Sequence, residues 1–447
     1  MITQGDLVWH LTRRNPGAWS VVERLQEVAI ADERSGLQRR EHRTRFTIIV
    51  HQDVPLGRGS ARLDVDAYDG SPDDLIDQAI VLALAAVGPA WSTTPPAAPA
   101  KVAVVDDDLV KRELDAVARN TLAQLHRPAA LTLTAAAYVL REKVTVVASS
   151  GFHTSWLATA LRADVVLTIP THTSATSDSA TSAAAAASST SPGLRISREA
   201  RRIDDLNLDA AIADAAADLL VLAATGAATA PAPGPCALWL GPDALLHGDD
   251  LGLWAVFAHQ ADSAVERQGF TRYRWRAEIA PGATQLAEPL SITSDGALDF
   301  ATRSTPVSDD AVAIRRFPVI ERGIAVGLGL SPREAALRRT DPNGGVRNLI
   351  VAPGTWPGTP SLTNRTIEIR RLHALSLDLT TGDASLDIAL GFEHQPDRPV
   401  PLPFSGGTVR LDLISALALA HRSSQLLRRG AYHGPASVLI DDAELIT

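Results

Sequence analysis

The feature that most constrains this chain is a change of texture near Cys236. Upstream, helix-like stretches alternate with half-buried strand patterns; downstream, short β-rich runs are separated by Gly, Pro and Asp turns. Two packing regimes in one chain call for two domains, and 447 residues exceed the usual size of one. The expected class is α+β: an N-terminal α/β domain over 1–224, a linker over 225–235, and a mainly antiparallel sheet domain with few helices over 236–447.

In the first domain, residues 21–32 place Val22, Leu25, Val28 and Ile30 at roughly helical spacing, which reads as a helix. Residues 45–50 are β-rich, and Ala61, Leu63, Val65 and Ala67 alternate with polar neighbours as in a half-buried strand. Ser71-Pro72-Asp73-Asp74 supplies a capping hydroxyl, a first-turn proline and acids at the positive helix end. A second helix is expected over 106–126, strands over 144–148 and 165–169, and a long Ala/Leu helix over 205–224. Residues 171–193 include a Ser/Thr/Ala tract without hydrophobic period, read as a flexible surface insertion. In the second domain one helix is expected over 250–268 and another over 413–428. The strands expected between them are 313–320, 348–352, 366–369, 375–379, 386–390 and 408–411.

Composition narrows the function. Net charge is -9 with both signs interspersed, and no basic block argues for nucleic acid. One cysteine cannot form an internal disulfide, residues 1–10 lack an apolar signal core, and no run of about 18 uncharged apolar residues suggests a membrane span. A cytoplasmic location is expected.

No HExxH, HExxxH, GxSxG, CxxC or phosphate-loop pattern occurs. His247 has no helical partner at i+3 or i+4 suited to metal ligation, and a capping loop explains His247-Gly248-Asp249-Asp250. His259 is offset from the apolar stripe of its helix, Glu393 to Asp397 suits a hairpin loop, and Gly57-Arg58-Gly59 a turn between strands. Cys236 sits in an apolar run that would raise its pKa and leave it inert.

Several segments in order nonetheless resemble the TldD/PmbA family. They are Pro289-Leu290-Ser291-Ile292-Thr293-Ser294-Asp295, then Asp309-Asp310-Ala311-Val312 with Arg315 to Gly323, and Ser331 to Ala336. Val346-Arg347-Asn348-Leu349-Ile350-Val351-Ala352-Pro353-Gly354 and the tail Gly434 to Ile440 complete the series. The resemblance implies two domains and a dimer enclosing a cleft. In the TldD branch a helix bears HExxxH, a C-terminal cysteine completes a zinc site, and a peptide lies against an exposed strand. Aligning that helix on Gly252 puts Val256, Phe257 and Ala261 where the branch has His, Glu and His, and no cysteine lies near the C-terminus. The chain is therefore similar to the PmbA (TldE) branch, which lacks the motif and pairs with a TldD-like subunit; Ala311-Val312 in place of the family's Glu-Gly is a departure.

The resemblance implies a non-catalytic subunit of a metallopeptidase heterodimer, with no catalytic residue, metal ligand or cofactor of its own and zinc in the partner. Its substrates would be unfolded or leader-bearing peptides, as in maturation of ribosomally made peptide products. Peptide contact is expected at the strand edge of Asn348, Leu349, Ile350 and Val351 and at the Gly344-Gly345 loop, unless those residues are internal sheet. The alternatives are a non-proteolytic homodimeric peptide-binding or scaffold protein, and a self-sufficient hydrolase using His247, Asp249 or Glu393.

Overall fold

The computed structural model describes residues 1–92, 98–170, 193–224, 230–248, 250–359 and 364–446. Most of the insertion expected over 171–193, residues 225–229 of the expected linker, and Asp249 lie outside the described residues.

The N-terminal half opens with α1 (Gln4–Arg14), whose first turn is closed by a reciprocal Thr3–Asp6 capping box. Three long strands follow, β1 (Ala18–Asp32), β2 (Leu37–Val54) and β3 (Gly57–Asp66), then α2 (Pro72–Ala85) and the short β4 (Val87–Gly88). After α3 (Asp107–Lys111) and α4 (Leu114–Ala123) come β5 (Thr132–Ala148), β6 (His153–Thr168), β7 (Gly193–Ala200) and α5 (Leu208–Ala224). The seven strands form one sheet in the order β4-β3-β2-β1-β5-β6-β7, with every neighbour antiparallel.

Residues 21–32 are therefore strand, not helix. Pairing with β2 and β5 on both flanks outweighs the near-helical spacing, and Leu25, counted in the supposed buried stripe, is exposed. The odd positions of β1 face the helices. Leu7 and Leu11 of α1 and Leu75 and Ile76 of α2 pack on Val21, Phe46, Ile48 and Val50. Leu114 and Val117 of α4 and Ile212 and Leu219 of α5 cover Ala29, Ala31, Val139 and Leu161. α2 starts as expected, with Ser71 accepting from the Asp74 amide and Pro72 in the first turn. Gly59 of β3 lets that helix close onto the sheet, because a Cβ there would lie 1.9 Å from the Ala83 carbonyl oxygen.

The C-terminal half begins with β8 (Gly234–Leu240) and α6 (Pro242–Leu245), then a 3-10 turn at Gly252–Trp254, α7 (Ala255–Gln260) and α8 (Ser263–Arg267). It continues through β9 (Ile292–Asp295), β10 (Phe317–Glu321), β11 (Ile324–Ala325), α9 (Pro332–Leu337), β12 (Asn348–Val351), β13 (Thr366–Leu377) and β14 (Asp383–His394). β15 (Leu402–Phe404), β16 (Thr408–Asp412), α10 (Leu413–Leu419), β17 (His421–Arg422), β18 (Leu426–Arg429), β19 (Tyr432–Pro435) and β20 (Val438–Ile446) complete it. One sheet runs β11-β10-β9-β12-β19-β18. The other, β13-β8-β20-β16-β14, closes on itself because β14 also pairs with β13. Leu238, Leu240, Phe257, Leu349, Ile367, Ile388 and Leu413 share one large core between these sheets and the intervening helices. The class is α+β with a strand-rich second half, as expected.

Three expected helices are shorter than their apolar spacing suggests. The stretch 250–268 breaks at Ala261, because the Asp262 carboxylate accepts from the amides of Ala264 and Val265 and starts α8 afresh. The stretch 106–126 is interrupted between α3 and α4. The stretch 413–428 is helical only to Leu419, after which β17 and β18 join the sheets.

Candidate functional site

The helix of most interest, α7, is positioned by Gly252. Its φ of +53° and a virtual Cβ 2.3 Å from the Leu245 carbonyl oxygen admit only glycine without a shift of backbone. That turn sets Trp254 against Tyr432, with ring centroids 5.9 Å apart and 20° between planes, while the Tyr432 hydroxyl donates to the Pro435 carbonyl at 2.8 Å. Val256, Phe257 and Ala261 then point into the core, at 0%, 2% and 0% exposure. These carbon side chains have no lone pair for a cation and no base for a proton. Among the described residues, no group of three or more His, Cys, Asp or Glu is placed to hold a metal.

The strand expected to receive peptide is not an edge. β12 is bonded to β9 on one flank and β19 on the other. Asn348 and Leu349 are fully buried, Val351 is buried and Ile350 half-buried. The Asn348 amide donates to the Asp295 carbonyl at 2.6 Å and to Ser304 Oγ at 2.8 Å, and its oxygen accepts from the Arg303 amide at 3.1 Å. With its backbone and side chain so engaged, this strand offers nothing for an incoming strand to pair with. Gly344 and Gly345 form the turn leading into it, with φ of +83° and +86°, tied down by Asn343, which accepts from the Gly345 amide.

The remaining candidates are scattered. Glu393 and His394 end β14 rather than forming a loop. Glu393 accepts from Arg365 at 2.7 Å, and His394 lies 2.9 Å from Glu368. Cys236 is buried, and burial pushes its thiol up. His259 is half-buried in α7.

Asp309 and Asp310 lie where the halves of the chain meet. Arg24 and Arg62, on the β1–β3 face turned away from the helices, reach Asp309 at 2.6 and 3.0 Å, and Ser20 donates to its carbonyl. Next to them Ala311 packs on Val22, Val144 and Val146. Asp310 is half-buried and has its carboxyl pushed up to about 6. Burial is the main cause and the charge of Asp309 adds to it, while Arg62 and Arg347 pull the other way.

A cleft of about 740 Å3 opens elsewhere between the two halves of the chain, between β7 and the start of the second half. Its walls carry Arg162, Arg195, Arg198, Arg303, Arg371 and Arg429, and His247 lies at its side. Asp243, on α6, receives Arg198 at 2.8 Å, Arg371 at 2.5 Å and Arg429 at 2.7 Å. Burial alone would raise the Asp243 carboxyl, but these three guanidinium groups hold it well below the usual carboxylate range. Burial lowers the His247 pKa.

Residues 253–440 match the profile of the PmbA/TldA metallopeptidase C-terminal domain. Over those residues the chain carries the C-terminal domain of that family. The fold agrees over the entire length. A proposed modulator of DNA gyrase from Bacteroides thetaiotaomicron aligns with a TM-score of 0.73 at 14% identity, over 100% of this chain and 99% of that one. A second proposed gyrase modulator, from Thermotoga maritima, gives 0.72 at 14% identity over 99% of both chains. TldE from Thermococcus kodakarensis gives 0.70 at 14% identity, again over 99% of both. No curated protein matches the chain.

The segments that carry the family resemblance do not converge on one centre. Asp309 and Asp310 lie where the halves of the chain meet, Asn348 serves the interior of a sheet, and Gly252 the entry to α7. The cleft went unread in the sequence. Its arginines come from six separated positions, and single arginines in an arginine-rich chain carry no local signal.

Proposed function

We propose that the chain is the metal-free, TldE/PmbA-like half of a two-subunit peptidase, pairing with a TldD-like partner that carries HExxxH and the zinc. Its part is to complete the cleft, steady the catalytic subunit and help select unfolded or leader-bearing peptides, such as precursors of ribosomally made peptide products. The observation that carries this reading is the burial of Val256, Phe257 and Ala261, at the positions aligned with the branch's His, Glu and His. A chain built this way leaves the metal-activated water and the general base to another subunit. The likeness in fold to TldE from Thermococcus kodakarensis supports the same branch. The proposed setting is the cytoplasm; no helix among the described residues is long and apolar enough to cross a membrane.

The test is a tagged pull-down from the native host with co-purifying proteins identified by mass spectrometry. A stoichiometric partner bearing HExxxH supports the reading, and zinc should then follow that partner. Repeated recovery of the chain alone under gentle conditions overturns it in favour of a homodimeric peptide-binding protein.

A further inference from the structure

We propose that the arginine-lined cleft between β7 and the second half of the chain binds an acidic stretch of an extended peptide. This deepens the functional reading above and rests on it for the occupant being a peptide; the acidic preference comes from the cleft itself.

The charge is local and opposes that of the whole. Six arginines line the cleft against three carboxylates, Glu199, Asp243 and Asp250, in a chain whose net charge is -9. Most of the carboxylates at hand are shared. Asp243 takes three arginines, of which Arg371 also meets Asp218 at 2.9 Å; Asp164, behind the wall, takes both Arg162 and Arg195 at 3.1 and 3.3 Å; Asp250 takes Arg303 at 2.7 Å. A guanidinium has five N–H donors and one carboxylate oxygen engages one or two, so donors remain for an incoming anion. Arg162 and Arg195 are accessible to such a ligand, with side chains 48% and 66% exposed.

The shape of the site favours an extended chain. Residues 193 to 199 line the cleft consecutively, so it runs along the border of β7 rather than over one face. β7 is the last strand of its sheet and, among the described residues, pairs only with β6. A peptide laid along that border gains backbone hydrogen bonds and turns alternate side chains to opposite faces of the sheet. Arg195 and Arg198, three apart on a strand, stand on opposite faces, so acidic side chains of either alternation meet a cation. Among the described residues the lining has no Phe, Tyr or Trp on which bases could stack, which favours carboxylates over single-stranded nucleic acid.

The test uses the purified full chain without any partner and follows fluorescence anisotropy of a labelled, short glutamate-rich peptide. Its lysine-rich counterpart, a version N-methylated at alternate backbone positions, and inorganic polyphosphate as competitor complete the set. The glutamate peptide should bind in a salt-sensitive way, and the lysine peptide at least about tenfold more weakly. Arg162→Gln combined with Arg195→Gln should weaken binding about tenfold with only a small fall in melting temperature, both arginines being exposed and glutamine keeping a donor beside Asp164. N-methylation should cost about as much, through lost backbone hydrogen bonds. Absence of binding, equal binding by the double variant, or no effect of N-methylation would overturn the proposal. So would polyphosphate displacing the peptide more tightly than unlabelled peptide does, since that marks a plain polyanion site. A recovered HExxxH partner with no glutamate-peptide binding sinks this inference alone, whereas binding without a partner sinks only the heterodimer.

Discussion

Replacing Asp310 by asparagine removes a negative charge that the meeting of the two halves holds at a cost. The carboxyl, raised from 3.8 to about 6 chiefly by burial, takes up a proton in the folded chain more readily than in the unfolded one. Stability from this group is therefore complete below pH 3.8 and is lost as pH rises through about 6. Two pH units at about 1.4 kcal/mol each give a loss approaching 3 kcal/mol by neutral pH, an upper bound because the residue is only half-buried. Asparagine keeps the shape and cannot ionise. Asp310→Asn should match the parent near pH 4 and exceed it by up to about 3 kcal/mol at pH 7.5. If the chain melts as one unit, about 2.1 cal/mol/K per residue turns this into a rise in melting temperature of about 3 °C. Circular-dichroism melts of both proteins from pH 4 to 8 provide the assay, the variant serving as reference for every other carboxylate. An offset that stays constant with pH, or a variant less stable at pH 7.5, would refute the reasoning.

Asp243→Asn should cost about 3–5 kcal/mol in urea unfolding, because three guanidinium groups lose their shared counter-charge; a loss below about 1 kcal/mol would show that water already screens them. Phe257→Glu, the acid of an HExxxH motif placed by alignment, should lower the melting point sharply and reduce soluble yield, since it buries an unpaired carboxylate where exposure is 2%. An unchanged melt would mean that this face of α7 is open enough to accept a ligand set. Asn348→Ala should cost about 2–4 kcal/mol by denaturant titration, as the Asp295 carbonyl, Ser304 Oγ and the Arg303 amide each lose a partner.

How far the sequence could be read depended on whether a signal was local. The cap at Ser71 needs only neighbouring residues, and α2 begins there. The α+β class followed from texture, and the Asn348 strand from its composition. Its place in the middle of a sheet did not, since that depends on β9 and on β19, which lies more than eighty residues downstream. Residues 21–32 failed for the same reason: Val22, Leu25, Val28 and Ile30 fit a helix until two long strands pair on either side. The stretch 250–268 held its correction in plain view, for Asp262 is a residue that starts helices as readily as it interrupts them. Of the cleft, His247 had been singled out, and for a different chemistry. Charge brought together by folding from positions 162 to 429 has no footprint in any window of sequence.

The closed ring of the second half bears on how the protein matures. β8 sits between β13 and β20, strands that follow it by well over a hundred and about two hundred residues, so its neighbours reach it only after long loop closures. The N-terminal sheet is mostly a meander of sequential hairpins and can assemble soon after it leaves the ribosome. During synthesis β8, with the apolar Leu238 and Leu240, has to wait without its partners. A chaperone that shields it, or a slower passage through translation after residue 240, would act on yield while leaving the finished molecule unchanged.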